Sequence, residues 1–163
     1  EALRYLARVN SVFDEYDAAE ACLMEATAIC RALQDIGEYA AVLFDRVVLC
    51  RRRNDYDAAL AAGAECLELF QRLGSLRWQA LVNMQLALLH QANHKLAPAL
   101  ALFRDCQQLF AELGDRYEQA YACYFLSKLY DELGEPEQSQ LAKQQAAQLN
   151  RTVNDPELGR RLQ

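Results

Sequence analysis

Slid forward by forty residues, the stretch Tyr56–Gly74, YDAALAAGAECLELFQRLG, lies on Leu96–Gly114, LAPALALFRDCQQLFAELG, without a gap. Eight positions coincide: Ala59/Ala99, Leu60/Leu100, Ala61/Ala101, Cys66/Cys106, Leu69/Leu109, Phe70/Phe110, Leu73/Leu113 and Gly74/Gly114. A fixed period of this size marks stacked repeats, in which each unit buries its apolar face only against its neighbours. Carried along the chain, the register divides it into four units at about 1–33, 34–73, 74–113 and 114–153.

Each unit reads as two helices. Three Pro and six Gly in 163 residues, with many Ala, Leu and Gln and no alternating β-branched run, leave no strand to expect. Turns inside the units fall at Asp14, Asn54, His94 and Gly134, residue types enriched in left-handed backbone at helix ends. Second helices are expected from Tyr16, Tyr56, Leu96 and Pro136 to about Leu33, Leu73, Leu113 and Leu149. Gly74 and Gly114 then stop two of them, while Gln34 is no glycine, so the joint 34–37 is expected to be the least regular. Three columns must be small because helices cross there: Ala19/Ala59/Ala99/Ser139, Ala7/Val47/Ala87/Ser127 and Ala26/Cys66/Cys106/Ala146. Asn154 or Asp155 with Pro156 can start another helix, so residues 154–163 read as a cap or a lead into a following domain.

Composition removes several function classes. Seventeen Lys and Arg against 23 Asp and Glu give a net charge of −6, and the pI is near 5.0, which argues against a general nucleic-acid or anionic-membrane binder. No run of about 18 apolar residues could span a bilayer and no start resembles a signal peptide, so a cytoplasmic location is expected. The chain starts at Glu1 as if already inside a helix, as expected of an excised piece of a longer protein. Cys22, Cys30, Cys50, Cys66, Cys106 and Cys123 stand singly in apolar segments and read as small buried hydrophobes.

Catalytic patterns are missing. There is no phosphate-binding glycine loop, no nucleophile elbow and no H-E-x-x-H helix. His90 and His94 have a metal-compatible spacing, but they occupy a packing column and a turn column, so no metal site is expected. Neither is a cofactor. Arg51, Arg52 and Arg53 at the end of a first helix suit the negative end of its dipole, with a grip on an acidic or phosphorylated partner as the functional alternative.

Leu126-Ser127 with Tyr130, Ser139 and Ala146, and Leu86-Ala87 with His90, Ala99, Phe103 and Cys106, resemble the tetratricopeptide repeat (TPR). Arg46, Gly63 and Lys143 depart from that pattern, and the period is forty in place of the usual 34, a long-helix variant. Similar repeats occur in maltose-regulon-type activators, peptide-pheromone regulators, spindle-orientation adaptors and sensor regions of diguanylate cyclases. The resemblance implies an all-α, right-handed α-solenoid of about four antiparallel hairpins, a TPR-like superhelix without enzymatic activity. First helices would line its concave wall. By column, the groove would be built from Arg4, Arg8, Phe44, Val48, Arg51, Leu81, Met84, Leu88, Gln91, Tyr121, Tyr124 and Lys128. Its expected occupant is a protein or peptide, with a segment of the parent protein among the candidates. The alternative is an effector-sensing domain of a larger bacterial signalling protein, a transcription activator or diguanylate cyclase. Self-association as a homodimer, through Trp78 or a terminal repeat, is a third expectation.

Overall fold

Left-handed backbone recurs every twenty residues: at Asp14 (φ 61°), Gln34 (55°), Asn54 (56°), Gly74 (66°), His94 (56°), Gly114 (69°), Gly134 (72°) and Asn154 (57°). Between these points the computed structural model, which describes residues 1–163, is helical. The elements are α1 (Ala2–Val12), α2 (Tyr16–Leu33), α3 (Ile36–Arg52), α4 (Tyr56–Arg72), α5 (Leu76–Ala92), α6 (Leu96–Glu112), α7 (Arg116–Leu133), α8 (Pro136–Val153) and α9 (Pro156–Arg161).

The same hydrogen bond closes seven of the eight turns. The residue after the left-handed one donates its N–H five residues back, as Glu15 does to Asn10, Asp35 to Cys30, Ser75 to Phe70 and Glu135 to Tyr130. This 6→1 bond satisfies a carbonyl left orphaned at the helix end. At the eighth turn the Asp155 N–H goes to Asn150 Oδ1. Aspartates start four of the helices, each carboxylate accepting an N–H three residues on: Asp35 from Glu38, Asp55 from Ala58, Asp115 from Glu118 and Asp155 from Leu158. The joint at Gln34, expected to be irregular, is not: Gln34 adopts the same left-handed geometry as the glycines, with its N–H on Arg31 O. The backbone bonds of the turn hold a non-glycine residue there.

Two compact units emerge, Glu1–Leu89 and His90–Gln163. In the first, α1 packs on α2 and α3, and α3 on α2 and α4. In the second, α7 packs on α6 and α8, and α9 folds onto α8. All twelve residues of the three small columns are buried, Ser127 and Ser139 included. Ser127 donates to Tyr124 O, which makes its burial tolerable. Every cysteine is free, five are buried and Cys22 is half-buried.

The departures from the TPR pattern have local causes. A Cβ on Gly63 would come within 2.9 Å of Leu86 Cδ2, so a backbone approach of α4 takes the space of the expected aromatic ring. Arg46 pairs with Glu20 at 2.9 Å, and Lys143 with Asp131 at 3.1 Å. Trp78, expected as an exposed sticking point, is half-buried: it stacks on Phe70 at 5.2 Å and meets Phe44 edge-on at 5.3 Å. No helix is long and apolar enough to cross a membrane.

Candidate functional site

In the Glu1–Leu89 unit, the residues expected to line a groove divide by accessibility. Leu81 and Met84 are core residues, 8% and 5% exposed, because the α5 face that carries them turns inward. They leave little surface to a ligand, which corrects the expectation for those two. Phe44, Val48, Arg51 and Leu88 are half-buried and Arg8 is exposed. Phe44 spends one edge on Trp78.

The basic start of the groove is not a set of free cations. Asp45, buried in the stretch VLFDRVVL, where only Arg46 is also charged, accepts Arg4 Nε on Oδ2 at 2.6 Å and Arg8 Nε on Oδ1 at 2.7 Å. Arg4 also reaches Glu38 at 3.2 Å. Burial draws Arg4 toward a lower pKa, but its bonds to Asp45 and Glu38 prevail and the guanidinium is held above its ordinary value. Arg51 donates Nε to Gln85 at 2.9 Å, and burial beside Arg52 depresses its pKa. Sequence reading passed over Asp45. The signal was there, a lone acid where the helical period puts apolar neighbours on both sides.

In the His90–Gln163 unit, α7 carries a run of rings. Tyr117 and Tyr121 lie 5.1 Å apart, Tyr121 and Phe125 6.2 Å, and Tyr124 and Phe125 5.4 Å. Phe125 is anchored on buried Phe103 at 5.8 Å. Tyr121 and Tyr124 are half-exposed, and the ammonium of exposed Lys128 sits 5.7 Å from the Tyr124 ring centre. Tyr121 donates to Asp155 at 3.2 Å, and burial together with these neighbours raises its phenol pKa. Gln91 is tied to Glu132. Phe125 was missed from sequence because Asp45 and Gln85 occupy its column in the earlier repeats.

Three of the contacts from a first helix to its successor share one separation. Arg4 meets Glu38, Arg51 meets Gln85 and Tyr121 meets Asp155, each 34 residues apart.

Other features offer little chemistry. His94 is the exposed left-handed residue of its turn, while His90 is half-buried, its pKa lowered by burial and by Lys95. No three His, Cys, Asp or Glu side chains are grouped to hold a metal ion. A cleft of about 450 Å³ in the second unit is lined by Gln107, Arg116, Gln119, Gln145, Gln148 and Thr152.

No protein-family model and no curated protein sequence matches the chain. Solved structures do. The chain is similar to BtubC from P. vanneervenii, with a TM-score of 0.80 at 17% identity over 92% of this chain and 61% of that one. It is similar to aspartyl phosphate phosphatase F from Bacillus subtilis, with a TM-score of 0.89 at 9% identity over 98% of this chain and 42% of that one. A TPR-like kinesin light chain of Podosopora anserina gives a TM-score of 0.75 at 14% identity over 96% and 77%. The chain thus spans less than two thirds of the length of the first two. The fold is an all-α helical-repeat solenoid of TPR type.

Proposed function

We propose that this TPR-like chain is a non-catalytic module that binds a protein or peptide through the exposed faces of its first helices. The observation that carries this reading is the contrast between helices in the second unit. α7 presents half-exposed Tyr121 and Tyr124 with Lys128, whereas the exposed residues of α8 are mainly Glu and Gln. Half-exposed tyrosines are among the side chains that protein interfaces favour, and the ammonium over the Tyr124 ring adds a cation–π contact. In the first unit the corresponding surface is Arg8, Val48, Arg51 and Leu88, with the open edge of Phe44. Gln91 completes the set, while Leu81, Met84 and Arg4 support it from beneath. The four hairpins at about 1–33, 34–73, 74–113 and 114–153 are the repeating units of this module. It works in the cytoplasm and needs no cofactor, nucleic acid or membrane; homodimerisation belongs to the same proposal.

Val48→Ser, Leu88→Ser and Tyr124→Ser together test it. Partner binding is expected to fall at least tenfold, about 1.4 kcal/mol or more, with helicity by circular dichroism unchanged. Retained affinity in a folded triple variant would sink the reading.

A second reading has its own support. The amide-lined cleft of about 450 Å³ has the size of a small-molecule site, and a solved structure similar to this chain at 14% identity is a signal-transduction ATPase from Pyrococcus horikoshii with a TPR sensor. A polar effector held by Gln107, Gln145 and Arg116 would make the chain a sensing domain of a larger signalling protein. Calorimetric screening of the Arg116→Ala variant against polar metabolites separates the two readings.

A further inference from the structure

Helix α1 is apolar on two sides. Ala7 and Ser11 are buried and Leu3 packs on the core beside them, which is the side turned toward α2 and α3. Ala2, Tyr5, Leu6, Val9, Val12 and Phe13 fall at i, i+3, i+4, i+7, i+10 and i+11, the spacing of a second stripe along the same helix. That stripe carries no charge and is open to solvent: Tyr5 and Phe13 are each 72% exposed, Val12 59% and Leu6 46%. Single apolar residues on a surface are ordinary, whereas a continuous run of them along one helix marks an interaction surface.

The repeat register shows what such a stripe packs against. At forty-residue steps Val9 becomes Leu49, Leu89 and Leu129, none more than 2% exposed. Leu6 becomes Leu86 and Leu126 in the third and fourth units, 7% and 3% exposed. Leu86 lies against Gly63 of α4, and α3 and α7 likewise pack on the helices before them, α3 on α1 and α2 and α7 on α6. The surface complementary to the stripe is therefore the side of another helix of this kind.

We infer that the α1 stripe pairs two copies of this chain, antiparallel, about a two-fold axis through Val9. The stripe is symmetric about that residue: Tyr5 and Phe13 lie four positions to either side, Leu6 and Val12 three. Pairing centred on Val9 sets Tyr5 and Leu6 of one copy level with Phe13 and Val12 of the other, and Arg8 level with Asn10. Apolar side chains then meet apolar ones, and no like charges are brought level along the helix. A head-to-tail stack would instead need an apolar surface on the last hairpin, where the exposed residues of α8 are mainly Glu and Gln. An α1 of 11 residues is only about 16 Å long, so the contact is small and the dimer weak, with a Kd on the order of 100 µM.

This gives the homodimer of the proposed function its surface. It rests on that part of the reading alone and uses none of Val48, Leu88 and Tyr124, so the two fail separately. Sedimentation equilibrium of the 163-residue chain from about 10 µM to about 1 mM tests it. The mass should rise from 18.5 kDa toward twice that value and no further. Tyr5→Ser with Phe13→Ser should hold the chain at 18.5 kDa throughout with unchanged helicity, whereas the Val48→Ser, Leu88→Ser and Tyr124→Ser variant should dimerise like the parent. Oxidation reads the position of the axis. Val9→Cys should form a disulfide between copies, and Met24→Cys, 61% exposed on α2, should not. A mass fixed at 18.5 kDa over the whole range overturns the inference and leaves the stripe to a different protein. Growth beyond the dimer, a dimer that survives Tyr5→Ser with Phe13→Ser, or linkage through Met24→Cys in place of Val9→Cys overturns it too. Dimerisation without partner binding removes only the first-helix reading, and a monomer that still binds its partner removes only the dimer.

Discussion

Asp45 shows at the scale of a single residue how an ion cluster can be structural in a place where sequence suggested a binding surface. Both of its oxygens are bonded, one to Arg4 and one to Arg8. Truncating it leaves Arg4, whose side chain is only 12% exposed, with Glu38 as its one remaining carboxylate. Asp45→Ala should cost about 3–5 kcal/mol, read as a lower denaturation midpoint in urea. A loss under 1 kcal/mol would mean that the pair is dispensable. The thiols give a second test at this scale. Burial pushes Cys66 and Cys106 up to about 12, and Cys123 up to about 11. Thiolate is the reactive form, so iodoacetamide at pH 8 should modify these three only after unfolding, with half-buried Cys22 reacting first by mass spectrometry. Rapid labelling of Cys106 in the folded chain would contradict the packing.

At the scale of the helix, what sequence revealed depended on whether the constraint was periodic. The three small columns were legible because a helix crossing admits nothing large, and Ala, Cys and Ser recur there at forty-residue spacing. Turn residues were legible at Asp14, Asn54, His94 and Gly134 for the same reason. The irregularity expected at Gln34 was wrong because the cap is fixed by backbone hydrogen bonds, which a sequence does not display. Site residues were harder, since exposure depends on how far each helix is rotated. Val48 and Tyr124 remain accessible, whereas Leu81 and Met84, one column away or in the same one, turn inward.

The last helix carries a pH prediction. The Asp155 carboxyl is held below its ordinary 3.8, first by the Leu158 N–H, against a smaller opposing effect of burial, and with help from Tyr117 and Tyr121. A folded pKa below the unfolded one gives stabilisation that is complete above about pH 3.8 and lost as pH falls through the folded value. Amide exchange at Leu158 and Gly159 should therefore accelerate below that pH before the rest of the chain responds. Uniform acceleration across all helices would show that Asp155 is not the local anchor.

Across the whole molecule, Glu1–Leu89 and His90–Gln163 are two compact units, each with its own first-helix surface. Their division of labour follows from composition. Second helices bury their phenylalanines Phe70, Phe103 and Phe110, although Met24, Ile29 and Leu33 of α2 and Leu141 of α8 are exposed. First helices keep residues such as Val48, Tyr124 and Lys128 partly or fully accessible. The most direct test of the account places a photo-crosslinking benzoylphenylalanine at Val48 or Lys128 on first helices, and at Glu68 or Gln108 on second helices. The account predicts crosslinks to a bound protein or peptide from the first pair and none from the second; crosslinks confined to Glu68 and Gln108 would contradict it.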